Sequence, residues 1–319
     1  MLATLDEQTR AFRDDVLAGL SAPIPAVPAR WLYDRRGSEL FEEITSLPEY
    51  YPTRTETALL ERHSAEIAAM LGKGEAVVEF GSGSSAKTPL LLRAVHPAAY
   101  VPIDISGDFL RDSAGALRAE FPDLPIHPVE ADFTRPLELP AAIGEAPKLG
   151  FFPGSTIGNF VARSAVDLLR AMKATLGEGA RLVIGMDRTK EIEILLAAYD
   201  DAAGVTAAFN LNLLHRINAE LGGDIPVEAF RHRALWNDAM SRIEMHLEAL
   251  RDVAFTVAGE RFAFAAGATI HTENSHKYGY RDSRLLLRAA GWGVVHDWTD
   301  AREWFSIILA EAEPPRFAP

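Results

Sequence analysis

The sequence predicts an α/β fold: a doubly wound, mostly parallel sheet with an antiparallel last strand, plus an α+β unit inserted after strand five. Three observations carry this. From residue 76, short apolar runs alternate with helical stretches, which is the pattern of a parallel sheet covered on both faces. The alternation stops after Asp187 and resumes at residue 281 as helix, strand, strand. The two closing strands are joined by a short turn, which makes the last one antiparallel.

The elements follow in order. Residues 5–20 read as a helix, with Phe12, Val16 and Leu20 on one stripe. In "SAPIPAVPAR", Pro23, Pro25 and Pro28 exclude regular structure. In "WLYDRRGSELFEEITSLPEYYPTRTE", Gly37 and Ser38 punctuate the chain, and Ser38 is expected to cap a short helix through Ile44. Thr53 and Glu56 have capping-box spacing ahead of a helix carrying Leu59, Leu60, Ile67 and Leu71.

The predicted strands are "AVVEFGSG", "AAYVPIDIS", "IHPVEADF", "KLGFFPGS" and "RLVIGMD", with helices such as "FLRDSAGALRAEF" and "SAVDLLRAMKATL" between them. In the insert, "EIEILLAAYDDAAGVTAAFNLNLLHRINAEL" reads as helical. "RIEMHLEAL" alternates, with Ile243, Met245 and Leu247 on one face, and "GERFAFAAGATIHTENSHKYGY" reads as further strand. The closing elements are helix "RDSRLLLRAAGW" and strands "GVVHDWTD" and "WFSIILAEA". The expected domains are 52–188 with 281–319, and 1–51 with 189–280.

Bulk properties narrow the function. The 319 residues are 48% hydrophobic and 24% charged, which suits one large or two moderate domains. A net charge of -13 repels nucleic acid and anionic membrane surfaces. Cysteine is absent, so disulfides and thiolate metal sites are excluded and a cytoplasmic home is expected. The N-terminus lacks a long apolar h-region, so no signal peptide is expected. No apolar run approaches the roughly 20 residues of a spanning helix. Among the nine histidines there is no H-E-x-x-H motif, and His271 and His276 are five apart on a strand, so no metal site is expected.

The stretch "EFGSGSSAKT" nearly matches a triphosphate loop, but Ala86 replaces the glycine before Lys87. Glu79, two residues ahead of Gly81, repels phosphate and attracts an ammonium or sulfonium group. Gly81 and Gly83 also fit a dinucleotide turn, and Asp104, 21 positions after Gly83, is placed to take ribose hydroxyls. Adenosine without phosphate, joined to a cationic tail, describes S-adenosylmethionine. Asp132 is expected to accept from the adenine amino group while Phe133 packs on the ring. The alternative for Asp132 is a helix cap. Lys87 becomes a candidate partner for the cofactor carboxylate.

"WLYDRRGSELFEEITSLPEYYPTRTE", "FGSGSSAKT", "FFPGSTIGN", "AYDDAAGVTAAFN" and "RIEM" together resemble the histidine-specific Nα-methyltransferase family of ergothioneine biosynthesis. The likeness covers nearly the whole chain. It implies a class I S-adenosylmethionine methyltransferase core and a substrate domain made from the N-terminal segment and the insert. It implies three methyl transfers to L-histidine, giving hercynine. By the same likeness, cofactor contacts fall on Gly81, Lys87, Asp104, Asp132 and Phe133, with Tyr33 near both ligands. Carboxylate contacts fall on Tyr50, Asn159 and Tyr199, and imidazole contacts on Glu273 and Ser275, with Met245 lining the pocket.

Strand alternation adds that Glu273, Ser275 and Lys277 point one way, so a carboxylate and a hydroxyl can meet both imidazole nitrogens. His276 is expected to face away from Ser275. His276 and Tyr278 stand where relatives are expected to carry smaller or more apolar residues. Taken alone, Tyr50 and Tyr199 also fit interface tyrosines, Asn159 a turn residue in αL conformation, and Glu273 a solvated strand residue.

For the chemistry, the attacking amine must lose a proton in each round, and a water ordered by Tyr33 or Asn159 is the expected carrier. Aromatic faces such as Tyr33 or Phe41 are expected to accommodate the methylated cation. A monomer is expected. Other readings are a methyltransferase of the same fold acting on another free amino acid or small amine, a nicotinamide dehydrogenase, and a non-catalytic binder of the same cofactor. Histidine titration in the presence of S-adenosylhomocysteine separates them.

Overall fold

A computed structural model describes residues 7–83 and 85–314. They fall into two compact units, with chain crossings at Tyr50/Tyr51, Lys190/Glu191 and Ser275/His276. The first unit combines the N-terminal segment with residues 191–275. The second combines residues 51–190 with the segment that starts at His276.

Helix α1 (Glu7–Leu20) buries Phe12, Val16 and Leu20. Positions 5 and 6 of the predicted helix lie outside the described residues. Helix α2 (Arg35–Thr45) starts before Ser38, which is buried inside it. Its cap is Asp34, whose Oδ1 accepts the Gly37 N–H at 2.7 Å. Gly37 marks a close approach rather than a break, because a Cβ there would collide with the Leu32 carbonyl. Helix α3 (Tyr51–Met70) likewise starts before the predicted capping box. Thr53 and Glu56 lie within the helix, and Glu56 is buried.

The chain continues through β1 (Ala76–Phe80), α4 (Thr88–Val95), β2 (Ala99–Asp104), α5 (Gly107–Glu120) and β3 (Val129–Glu130). Strand β3 is only two residues long, shorter than predicted. Pro128, just before it, has no N–H to give a ladder. Then come β4 (Lys148–Phe152), α6 (Ala162–Leu176) and β5 (Arg181–Asp187).

In the insert, the predicted helical run is two helices, α7 (Ile192–Tyr199) and α8 (Val205–Leu221). The break occurs where Asp201 accepts the N–H groups of Val205 and Thr206 at 3.0 and 2.8 Å, and Gly204 takes φ 74°. Strands β6 (Phe230–Asn237), β7 (Arg242–Ala249), β8 (Val253–Val257), β9 (Glu260–Phe264) and β10 (Thr269–His276) follow. They make a three-stranded sheet, β10-β7-β6, and a hairpin, β8-β9. Ile243, Met245 and Leu247 share the buried face of β7 as predicted. Helix α9 (Tyr280–Ala289) and strands β11 (Trp292–Thr299) and β12 (Phe305–Ala312) complete the second unit.

The second unit is built on a seven-stranded sheet of order β11-β12-β5-β4-β1-β2-β3. Strands β1 to β5 pair in parallel, and β12 runs antiparallel to both β5 and β11. Successive residues feed opposite layers. Val77, Leu149, Phe151 and Val183 pack with Leu59, Leu60 and Ile67 of α3 and with α4 and α5. Val78, Phe80, Phe152 and Ile184 pack with Leu168, Leu169 and Met172 of α6 and Leu287 of α9. The strand order reverses between β1 and β4, which leaves a crevice at the carboxyl ends of these strands. Among the described residues, no helix is long and apolar enough to cross a membrane.

Candidate functional site

The glycine turn after β1 commits four of its described N–H groups to its own neighbourhood. The N–H groups of Gly81 and Ser82 bond to the Ile103 carbonyl at 2.8 and 3.1 Å, and Gly83 N–H bonds to Asp104 Oδ2 at 3.0 Å. Ser85 N–H bonds back to the Ser82 carbonyl at 2.8 Å. A phosphate loop would aim such donors at its ligand. Gly81 and Gly83 both have positive φ, at 69° and 48°, which fits glycine there. Asp104 also accepts Ser106 N–H at 2.9 Å, so its carboxylate is fixed at the end of β2.

Phe133 lies against the turn. A Cβ on Gly81 would sit 3.4 Å from its ring, and Phe80 and Phe152 meet the ring edge-on at 6.3 and 5.9 Å. Asp132 accepts both the N–H and the hydroxyl of Thr134, at 2.9 and 2.6 Å. No helix follows it, so Asp132 holds a turn and not a helix cap.

Glu79 differs from its expected setting. Its side chain is enclosed rather than open, with Oε2 accepting from Thr88 Oγ1 at 2.7 Å and from the Tyr100 hydroxyl at 2.6 Å. Burial pushes its carboxyl up to about 7, against the pull of those two donors and of Lys87. Lys87 also has a partner that spacing did not show: it forms an ion pair with buried Glu56. Glu56 in turn receives the N–H of Gly154. Gly185 of β5 accommodates this carboxylate, since a Cβ there would overlap Glu56 Oε1.

The strand-four exit is a 3-10 turn, Thr156–Asn159. Positive φ falls on Gly154 and Ser155 (79° and 56°), not on Asn159. Ser155 Oγ accepts the Asp187 N–H at 2.8 Å. On the other side, His276 Nδ1 donates to the Gly158 carbonyl at 2.8 Å and the Tyr278 hydroxyl donates to the Ile157 carbonyl at 3.3 Å. A Cβ on Gly158 would press on the His276 backbone at 2.9 Å. The two residues that looked unusual in sequence thus brace the turn that carries Asn159.

Sequence reasoning missed a buried charge network at the chain crossings. Asp187 Oδ2 accepts from the Tyr51 hydroxyl at 2.6 Å and from Lys277 Nζ at 2.7 Å. Lys190 pairs with Oδ1 and lies 4.1 Å from the centre of the Tyr51 ring. Burial alone would raise the Asp187 carboxyl, but the two ammonium groups more than reverse that and hold it below its usual value. Burial brings Lys190 down to about 8 despite Asp187. Lys277, expected beside Glu273 and Ser275, belongs to this network instead.

In the first unit, β10 and the aromatic residues of α2, α7 and α8 form a second cluster. The Tyr199 hydroxyl and Ser275 Oγ are 2.6 Å apart, and both residues are buried. The Tyr33 hydroxyl donates to Glu273 Oε2 at 3.5 Å. Burial, then the negative charge of Glu273, raises the Tyr33 phenol well above its usual value, so it stays a neutral donor. Tyr33, Phe41, Tyr50, Tyr199 and Phe209 meet in edge-on or tilted pairs, at 5.4 Å for Tyr33–Phe209 and 6.1 Å for Tyr50–Tyr199. Phe209, within "AAFN", went unread because one aromatic on a helix looks like core. Met245 is buried on β7, and its carbonyl accepts Thr272 Oγ1 at 3.0 Å.

The predicted residues thus divide between the units. Tyr33, Tyr50, Tyr199, Met245, Glu273 and Ser275 fall in the first unit. Glu79, Gly81, Gly83, Lys87, Asp104, Asp132, Phe133 and Asn159 fall in the second. The sequence compared His271 with His276, but the fold sets His271 beside His246, ring centroids 4.7 Å apart.

The glycine turn, with the N–H groups of Gly81, Ser82, Gly83 and Ser85 bonded within the protein and an acid on either side, suits an adenosyl cofactor that has no phosphate. Comparison with known proteins agrees. A family model described as "Histidine-specific methyltransferase, SAM-dependent" matches residues 12–312. A histidine N-alpha-methyltransferase of Mycolicibacterium smegmatis is 42% identical over 96% of each chain. One from Mycobacterium tuberculosis is 39% identical over 94% of each chain. The chain belongs to the S-adenosylmethionine-dependent, histidine-specific methyltransferases.

Proposed function

We propose that this protein methylates the α-nitrogen of L-histidine three times, giving hercynine, as the first step of ergothioneine biosynthesis. The full-length family match supports the reaction, and one observation supports the substrate. Glu273 and Ser275, a carboxylate and a hydroxyl two residues apart, are both buried and tied to the Tyr33 and Tyr199 hydroxyls. This pair suits the two nitrogens of an imidazole. Tyr50, Tyr199 and Asn159 are the proposed contacts for the substrate carboxylate. Met245 lines the imidazole pocket.

S-adenosylmethionine supplies an electrophilic methyl group on a sulfonium. Gly81, Gly83, Asp104, Asp132 and Phe133 would hold it, with Lys87, paired with Glu56, at the end of the turn, and the enclosed Glu79 carboxylate would favour its cationic tail through charge alone. The protein's task is positioning, with nitrogen and methyl carbon about 3–3.5 Å apart. Tyr33 stays protonated, so it serves as an orienting donor and not as the base. Tyr33 or Asn159 orders the water that removes the amine proton. The Tyr33 and Phe41 faces accommodate the growing cation. The acidic chain without cysteine suits a monomeric cytoplasmic enzyme with no nucleic-acid or membrane partner.

The test is histidine titration of the protein with S-adenosylhomocysteine present, followed by kinetics of Glu273→Ala. Saturable histidine binding and a histidine KM raised at least about tenfold, at unchanged S-adenosylmethionine affinity, are expected. Methyl transfer to another free amino acid in preference to histidine would overturn the substrate assignment.

A further inference from the structure

We infer that Glu244, His246 and His271 form a binding site for a divalent transition-metal ion. Glu244 and His246 are two apart on β7, so they share a face, opposite Ile243, Met245 and Leu247. Strand β10 lies next to β7 and brings His271 to the same place. One ligand atom from each of the three residues lies within 4.8 Å of the other two. Glu244 Oε2 and His246 Nε2 are 3.1 Å apart. Two ligands on a tetrahedral ion with bonds of about 2.1 Å stand about 3.4 Å apart, so only a small expansion is required.

The neighbours of these side chains are arranged as ligand supports. Arg242 Nε and Asn237 Nδ2 both donate to Glu244 Oε1 at 2.8 Å, which leaves Oε2 on the histidine side. His271 Nε2 lies 3.0 Å from the Glu273 carbonyl. A carbonyl only accepts, so that nitrogen carries the proton and Nδ1 keeps its lone pair, and a ring N–H held by a backbone carbonyl is a common support of a metal-bound histidine.

Two imidazoles and a carboxylate select zinc, nickel or cobalt over magnesium or calcium. Arg242 already balances the Glu244 charge, so the site is weaker than an all-anionic one. It adjoins the Glu273 backbone and is distinct from the residues assigned to cofactor and substrate.

The full-length protein, stripped with a chelator, is titrated with zinc chloride and separately with magnesium chloride by calorimetry. One zinc per chain and no magnesium binding are expected. His246→Ala and His271→Ala should each weaken zinc binding at least tenfold. The cobalt(II) absorption spectrum of the unaltered protein reports the ligand set without any variant and should show nitrogen and oxygen coordination of low symmetry. Absence of saturable zinc binding, zinc binding that survives both substitutions, or a cobalt spectrum of the hydrated ion would each overturn the assignment.

Discussion

Glu56 and Gly154 share a forked hydrogen bond: the Gly154 N–H lies 3.0 and 2.9 Å from the two carboxylate oxygens. The same carboxylate pairs with Lys87. One side chain of α3 therefore joins the end of the glycine turn to the strand-four exit. Glu56→Ala leaves two half-buried partners, the Lys87 ammonium and the Gly154 N–H, without their carboxylate. It should lower the unfolding free energy by about 3 kcal/mol. Urea unfolding of the two proteins checks this, and a loss under about 1 kcal/mol would show that the carboxylate is dispensable.

The Glu79 carboxyl is pushed up to about 7 from 4.5, and its proposed role toward the cofactor's cationic tail predicts that cofactor binding depends on pH. Between those values the folded protein holds a proton that the unfolded chain releases, so this group's contribution to stability falls as pH rises through the window. A cationic cofactor prefers the ionised form. Affinity for S-adenosylmethionine should therefore rise about tenfold from pH 6 to pH 8. Glu79→Gln should remove most of that rise, as read by calorimetry at each pH. Equal pH profiles in the two proteins would count against a role for the Glu79 charge.

Lys190 gives the opposite sign. Its folded value of about 8 lies below the ordinary 10.5. Between them the unfolded chain binds the proton that the folded protein lacks, so stability rises with pH. Relative to Lys190→Met, the wild type should gain about 2 kcal/mol between pH 7.5 and 9.5. Denaturant unfolding at both pH values measures the difference. A constant gap between the two proteins would mean that Lys190 keeps its proton throughout.

Tyr199→Phe removes the hydroxyl that lies 2.6 Å from Ser275 Oγ and leaves the ring in place. The histidine KM should rise about tenfold, the worth of one well-made hydrogen bond. Cofactor affinity should not change, because no proposed cofactor contact other than Tyr33 lies in the same unit. Steady-state kinetics with each substrate varied in turn decides the matter.

The parallel sheet was legible because its strands are buried on both faces and read as continuous apolar runs. The antiparallel last strand followed from a turn too short to cross over. Helix starts were not legible at Ser38 and Thr53. At α2 the local cap is Asp34 rather than Ser38, and at α3 Glu56 serves a tertiary contact with Lys87 and Gly154 that local capping rules do not see. Glu79 was identified, yet its enclosure depends on Tyr100 and Thr88 from other elements. The Asp187 network was invisible because Tyr51, Lys190 and Lys277 are far apart in the chain. The pairing of His246 with His271 escaped notice for the same reason: strand adjacency, not spacing, makes them neighbours.

The three chain crossings also bear on how the protein is made. Neither unit is encoded as one continuous stretch, so neither is complete when its first half leaves the ribosome. Asp187, at the end of β5, pairs with Phe305 of β12. Its strand edge must wait through synthesis of the whole insert, on the order of ten seconds at 5–20 residues per second. An unpaired edge at the middle of the sheet is a hazard during that interval. The yield of folded protein should therefore depend on translation speed and on chaperones more strongly than the stability of the finished molecule would suggest.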